Sequence, residues 1–164
     1  MNPRNFNNFG DVFLDVYKLN HLSLGVKPFS VKYLLVALNH VNHWAYLELH
    51  QSMSVTVATG FLENLARKAS FKIHTLTTSY DTLFFDHCAD QGERIKEVNK
   101  TFSQFCTRLG IALRIPPLMR PCDVGGMERF LHRLLEDLKK EGCSSSENIK
   151  QALLEYVRRY NDSK

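Results

Sequence analysis

Two carboxylates of this sequence, Asp15 and Glu128, lie at positions where an acidic residue could have either a structural or a chemical role. Asp15 lies in the middle of the apolar segment 11–19, where an unpaired carboxylate is costly to bury. Glu128 follows Gly125 and Gly126 at the expected start of a helix, where the helix dipole favours an acid. Asp15 could therefore be an ion-paired structural acid and Glu128 a helix-end acid, or the two could belong to one site.

Six basic residues lie in the expected last helices and could contact phosphates in a salt-dependent way. A solvated helix face is the ordinary explanation for such residues. The net charge of +4 is compatible with a polyanionic partner, although many domains of this charge bind nothing acidic. The six residues are Arg129, Arg133, Lys139, Lys140, Arg158 and Arg159.

The cysteines and histidines give no sign of a metal site. The four cysteines are widely spaced without a C-x-x-C pair, and the histidines show no ligand spacing. We therefore expect reduced thiols in a cytoplasmic protein. The sequence begins without an apolar signal region, and no apolar run approaches the roughly 18 residues of a membrane span. We expect no membrane association.

The elements that must position these residues follow from hydrophobic periodicity and from turn residues. Short connections make the first three strands antiparallel. Ser54 is expected to cap the first helix and Ser146 the last. The predicted strands are 11–19, 31–38, 43–49, 71–78 and 111–115, the helices 55–68, 94–109, 127–140 and 146–160, and the longer loops 80–93 and 118–126.

This order predicts an α/β domain with a mixed five-stranded sheet and helices on both faces. Right-handed crossovers place the fourth and fifth strands beside the first. Asp15, the end of the fourth strand and the start of the third helix then meet at one edge. We expect residues 1–9 to form an N-terminal arm and residues 10–164 to form the domain.

Three segments in this order carry a resemblance to a known family. Residues 10–19 hold Asp15 in mid-strand, residues 33–49 form two strands, and residues 117–130 follow a proline with Glu128-Arg129-Phe130. Together they resemble the catalytic core of the DDE-type integrases, the retroviral integrase superfamily that includes insertion-sequence transposases. The resemblance covers about residues 10–161 and implies a ribonuclease H-like fold. It also implies that Asp15 and Glu128 are catalytic, metal-binding acids.

The second acid of this family departs from the pattern. The family places Asp-Asn-Gly just after the fourth strand, and an ungapped alignment gives Thr78, Ser79 and Tyr80 there. A neutral threonine hydroxyl cannot replace a bridging carboxylate for Mg²⁺. A shifted alignment would make Asp81 the third catalytic acid, and Asp86 or Asp90 is a more distant candidate.

The resemblance implies a nuclease that cuts a phosphodiester and joins the freed 3′-hydroxyl to another strand. Two Mg²⁺ or Mn²⁺ ions hold the attacking and leaving oxygens in such a reaction. With Thr78 in the place of the second acid, Asp15 and Glu128 alone would hold metal weakly. We therefore expect strand transfer to be absent or very low.

Three functions remain open at this point. The first is a degenerate integrase or transposase core from a mobile element. It would keep nonspecific DNA binding and homodimerise through the apolar faces of helices 55–68 and 94–109. The second is an active metal-dependent nuclease that uses Asp81. The third is a protein-interaction module that reuses the fold without nucleic acid.

Overall fold

The computed structural model describes residues 8–19, 33–39, 41–79, 85–90, 93–114, 121–142 and 145–163. Of these, residues 8, 85–90, 93–98, 121–123 and 146 are described by their backbone alone. The strands are β1 Asp11–Lys18, β2 Tyr33–Asn39, β3 Trp44–His50, β4 Thr75–Thr78, β5 Phe85–Asp90, β6 Glu93–Val98 and β7 Ala112–Arg114. The helices are α1 Val55–Lys68, α2 Lys100–Arg108, α3 Pro121–Glu141 and α4 Ser146–Asp162, with a short 3-10 turn at Asn8–Gly10.

Five of these strands form a mixed sheet in the order β3-β2-β1-β4-β7. β1 pairs antiparallel with β2 and parallel with β4, so it lies at the centre. β7 extends the parallel part beyond β4. The predicted mixed five-stranded sheet with helices on both faces is confirmed.

Each face of the sheet has its own buried cluster because side chains alternate along the strands. Leu14 and Leu35 belong to the cluster under α1 and α2. Phe13 and Val36 belong to the cluster under α3 and α4. β1 therefore contributes to both clusters.

Helix α1 begins and ends where the sequence predicts, because its cap is explicit. The Oγ of Ser54 accepts a hydrogen bond from the backbone N–H of Val57 at 3.2 Å. Phe61 of α1 and Phe102 of α2 are fully buried in the chain's own core. These two residues of the apolar faces proposed for a homodimer therefore pack inside the chain, and homodimerisation stays a prediction.

The region after β4 differs most from the prediction. Residues 80–93 were expected to be a loop and residues 94–109 a helix. The structure instead has a two-stranded hairpin of β5 and β6 and starts α2 at Lys100. The side chain of Asn99 caps α2 by accepting from the N–H of Phe102 at 3.1 Å.

Helix α3 starts earlier than predicted. It begins at Pro121 and continues through Gly125 and Gly126, where a loop was expected. Proline suits the first position of a helix, and both glycines are tolerated inside it. Ser145, rather than Ser146, caps α4. No helix within the described ranges is long and apolar enough to cross a membrane.

Candidate functional site

Asp15 lies on the central strand β1, on the sheet face that α3 and α4 cover. Phe13 and Tyr17, two positions to either side, both pack into the cluster of this face. Asp15 is opposite Val36 of β2, and β4 runs parallel on the other side. Asp15 is half-buried. Its carboxylate therefore faces the end of β4 and the helix that carries Glu128.

The carboxylate of Asp15 accepts hydrogen bonds from its own strand and from the end of β4. Its Oδ1 accepts from the backbone N–H of Val16 at 2.8 Å and from the hydroxyl of Ser79 at 2.5 Å. Its Oδ2 accepts from the hydroxyl of Tyr17 at 3.0 Å. Sequence reasoning missed both hydroxyl donors. The signal available was a tyrosine two residues after the acid, where strand geometry puts it on the same face.

Ser79, not Thr78, is the residue beside Asp15 at the end of β4. The register pairs Leu14 with Thr78, so Thr78 lies on the opposite face of the sheet from Asp15. Thr78 is fully buried, and its Oγ1 has no hydrogen-bond partner among the described residues. The prediction that Thr78 lies in the place of the second acid is therefore corrected to Ser79. Successive side chains of a strand point to opposite faces of the sheet, so Ser79 is on the face of Asp15 and Thr78 is not.

Glu128 lies about two turns inside α3 and not at its start. The influence of a helix dipole is confined to the first turn, so it does not explain this acid. Glu128 itself is exposed, while Met127 and Phe130 beside it are buried in the cluster that also contains Phe13. α3 thus carries Glu128 on the same side of the sheet as Asp15.

Tyr17 connects the two acids electrostatically. Burial raises the pKa of the Tyr17 phenol, and the charge of Asp15, their hydrogen bond and the charge of Glu128 raise it further. The contribution from Glu128 means that its carboxylate lies within electrostatic reach of the phenol. Tyr17 therefore stays protonated and acts as a hydrogen-bond donor.

The alternative second acids cannot be placed. Asp81 falls outside the described residues. Asp86 and Asp90 are in β5, of which only the backbone is described. Asp86 is opposite Glu97 in the hairpin, and Asp90 is opposite Glu93. Their roles stay predictions.

The described donors do not fit a two-metal site. Such a site needs three carboxylates, one of them shared by both ions. The side chains that contact the carboxylate of Asp15 in the described part of the chain are the neutral hydroxyls of Tyr17 and Ser79. Both donate a hydrogen bond to this carboxylate and add no negative charge for a metal ion. Among the described ranges, no group of three or more His, Cys, Asp or Glu side chains could hold a metal ion.

The six basic residues divide into two groups. Arg158 is 2.8 Å from Glu155, and Arg159 is 2.6 Å from Asp137, so both are paired within the chain. The other four are exposed on α3 and make no ion pair with any residue in the described part of the chain. These four are Arg129, Arg133, Lys139 and Lys140.

A second polar cluster surrounds Glu48 on β3 and was not predicted. Its Oε1 accepts from the hydroxyl of Tyr46 at 2.6 Å and from Asn64 at 2.9 Å, and its Oε2 is 2.7 Å from His50. Burial works to raise the pKa of Glu48, but these hydrogen bonds outweigh burial and hold that pKa below its usual value. Burial and the bond to Glu48 raise the pKa of Tyr46. The cluster lies on the α1 face, away from Asp15.

No protein-family model matches the chain, and no curated protein matches it either. Its backbone is similar to the solved catalytic core domain of BIV integrase, with a TM-score of 0.67. The match covers 94% of this chain and 85% of that chain, at 14% sequence identity. At this identity, the likeness establishes the fold. The chain has the ribonuclease H-like fold of an integrase catalytic core.

Proposed function

We propose that this chain is an integrase-core-like domain that binds duplex DNA without cutting or joining it. One observation carries the loss of catalysis: the side chain that contacts Asp15 from the end of β4 is the neutral hydroxyl of Ser79. A serine cannot supply the negative charge that holds the second ion. The domain is therefore a catalytically degenerate relative of enzymes with this fold.

The missing charge matters because the reaction depends on it. Two ions neutralise the charge that develops on the attacking and leaving oxygens, and that electrostatic contribution is often the largest part of catalysis. Asp15 and Glu128 would be the ligands of any ion that did bind. With hydroxyls on both oxygens of Asp15, Mg²⁺ would have to displace two hydrogen bonds while losing its own water.

DNA binding rests on the exposed face of α3. Arg129, Arg133 and Lys140 are spaced by four and seven residues, so they line one side of the helix. Arg129 and Arg133 have no ion-pair partner within the described ranges, so contact with phosphates would break no ion pair there. About three phosphate contacts predict nonspecific binding whose log K falls with log[salt] with a slope of about −3.

The test uses the whole chain with labelled duplexes of unrelated sequence and with supercoiled plasmid. We expect a Kd of about 1–100 μM at physiological salt, equal for all sequences. We expect no nicking in Mg²⁺ or Mn²⁺ above that of Asp15→Asn, which controls for contaminating nucleases. Unchanged duplex mobility at low salt would refute DNA binding and favour a protein-interaction module.

Nicking that disappears in Asp15→Asn would refute the loss of catalysis. The variant Asp81→Asn then decides between two explanations. If it also abolishes nicking, Asp81 supplies the second acid and the chain is an active nuclease. If nicking survives in Asp81→Asn, another acid such as Asp86 serves.

A further inference from the structure

Three hydrogen-bond donors converge on the carboxylate of Asp15. We call the hydroxyls of Tyr17 and Ser79, both donating to the carboxylate of Asp15, the hydroxyl clamp. The backbone N–H of Val16 adds a third donor to the same group. A carboxylate is an acceptor only, and this set of donors stabilises its charged form.

The hydroxyl clamp also joins two strands. Tyr17 is on the same strand as Asp15, whereas Ser79 follows β4 and is 64 residues away in sequence. The last paired residues of the two strands are Leu14 and Thr78, so the Ser79 bond extends the connection one residue past the ladder. The clamp therefore holds the open end of the sheet together.

A divalent ion would compete for the same oxygens. The two hydroxyls and the N–H of Val16 use three of the roughly four lone-pair sites of the carboxylate, so an ion would have to compete with these donors. Glu128 is a second carboxylate within electrostatic reach of the Tyr17 phenol, on the helix that covers this face of the sheet.

We propose that the hydroxyl clamp replaces a metal ion in holding Asp15 and the end of β4, and that a carboxylate at position 79 would turn it into a divalent-cation site. The inference rests on the proposed function in one respect, namely that Asp15 binds no metal in the natural chain. It goes further in stating that one substitution, of Ser79 by a carboxylate residue, is enough to convert the hydroxyl clamp into a metal site.

The experiment compares the natural chain with Ser79→Asp, Ser79→Asn and Ser79→Asp/Tyr17→Phe. Thermal unfolding is followed in EDTA and then in Mn²⁺, and bound Mn²⁺ is counted by electron paramagnetic resonance. For the natural chain and for Ser79→Asn, which adds size without charge, Mn²⁺ should leave Tm unchanged. For both Ser79→Asp variants, saturating Mn²⁺ should raise Tm by about 5 °C or more.

The double variant should bind Mn²⁺ more tightly than Ser79→Asp, because Tyr17→Phe removes the hydrogen bond from the phenol to Oδ2 of Asp15. Folded Ser79→Asp variants that bind no Mn²⁺ would overturn the proposal. Asp15-dependent Mn²⁺ binding by the natural chain would overturn it as well.

A second measurement decides the matter even if the Ser79→Asp variants fail to fold. In metal-free buffer, Asp15→Asn should lower Tm by about 3 °C, because a charged acceptor of three hydrogen bonds is lost. A rise in Tm would indicate relief of repulsion among neighbouring acids, as in a vacant metal site, and would refute the clamp. DNA binding is measured separately on the natural chain, so its absence would refute the proposed function without touching this one.

Discussion

Asn161, near the end of α4, makes two hydrogen bonds to the backbone of Ala45 on β3. Its Oδ1 accepts from the N–H of Ala45 at 2.7 Å, and its Nδ2 donates to the carbonyl oxygen at 2.9 Å. β3 is an edge strand of the five-stranded sheet, so these backbone groups face no neighbouring strand among the described residues. The amide side chain therefore acts as a substitute for one more strand residue.

Replacing Asn161 by alanine should lower the free energy of unfolding by about 2 kcal/mol, since two hydrogen bonds are lost at about 1 kcal/mol each. Urea denaturation followed by circular dichroism measures this. Asn148→Ala, in the same helix, is the control because Asn148 is exposed. Equal losses in both variants would mean that the Ala45 contact contributes nothing specific.

Thr78 predicts a substitution that stabilises the chain. Its fully buried hydroxyl has no partner in the described part of the chain, and leaving such a group without a hydrogen bond is costly. Thr78→Val keeps the shape and should raise the free energy of unfolding by about 1 kcal/mol. Thr78→Ala, the control for size, should lower it by about the same amount because it leaves a cavity. A destabilising Thr78→Val would reveal a bound water on the hydroxyl.

Glu48 predicts a dependence of stability on pH. Its pKa is lowered in the folded chain, so its contribution is present above the unfolded pKa and is lost as pH falls through the folded pKa. At pH 7, Glu48→Gln should lower the free energy of unfolding by about 2 kcal/mol. The difference from the natural chain should shrink as the pH falls below about 4. Glu63→Gln, at an exposed glutamate on α1, is the control for the loss of one negative charge. A constant difference across pH would contradict a charged Glu48.

The α3 face predicts which basic residues bind DNA. Arg129→Gln/Arg133→Gln should weaken duplex binding and reduce the salt slope by about 2, one unit for each phosphate contact. Arg158→Gln/Arg159→Gln changes the net charge equally but removes residues already paired with Glu155 and Asp137. Fluorescence anisotropy at several salt concentrations separates the two. Identical effects would mean that net charge, and not the α3 face, drives binding.

Much of the fold was predictable because its signals are local. Ser54 fixes the start of α1, and the run of apolar residues in β2 predicts a strand buried on both faces. The hairpin was missed because Ile95 and Val98 are spaced as on a helix, and that spacing continues into α2. The start of α3 was predicted too late because Gly125 and Gly126 precede Met127, and glycine usually indicates a loop.

The site was harder to predict because it depends on the register of strands far apart in sequence. Asp15 and Glu128 are placed on one side of the sheet, as expected, but the neighbour at the end of β4 was assigned one residue too early. Side chains alternate between the two faces of a sheet. A shift of one residue therefore assigned Thr78, on the face opposite to Asp15, instead of Ser79, on the same face. The bond from Tyr17 to Asp15 depends on a side-chain rotamer, which no sequence pattern reports.

The central place of β1 has a consequence during synthesis on the ribosome. β1, β2 and β3 emerge in succession and can pair at once, but the second edge of β1 must wait for β4. β4 begins 25 residues after the end of β3, which corresponds to about 1–5 s of translation. α1 emerges during that time, but α2, the other helix over Leu14 and Leu35, is made only after β4. During this interval, the apolar residues of the sheet are most exposed and a chaperone would have the largest apolar surface to bind.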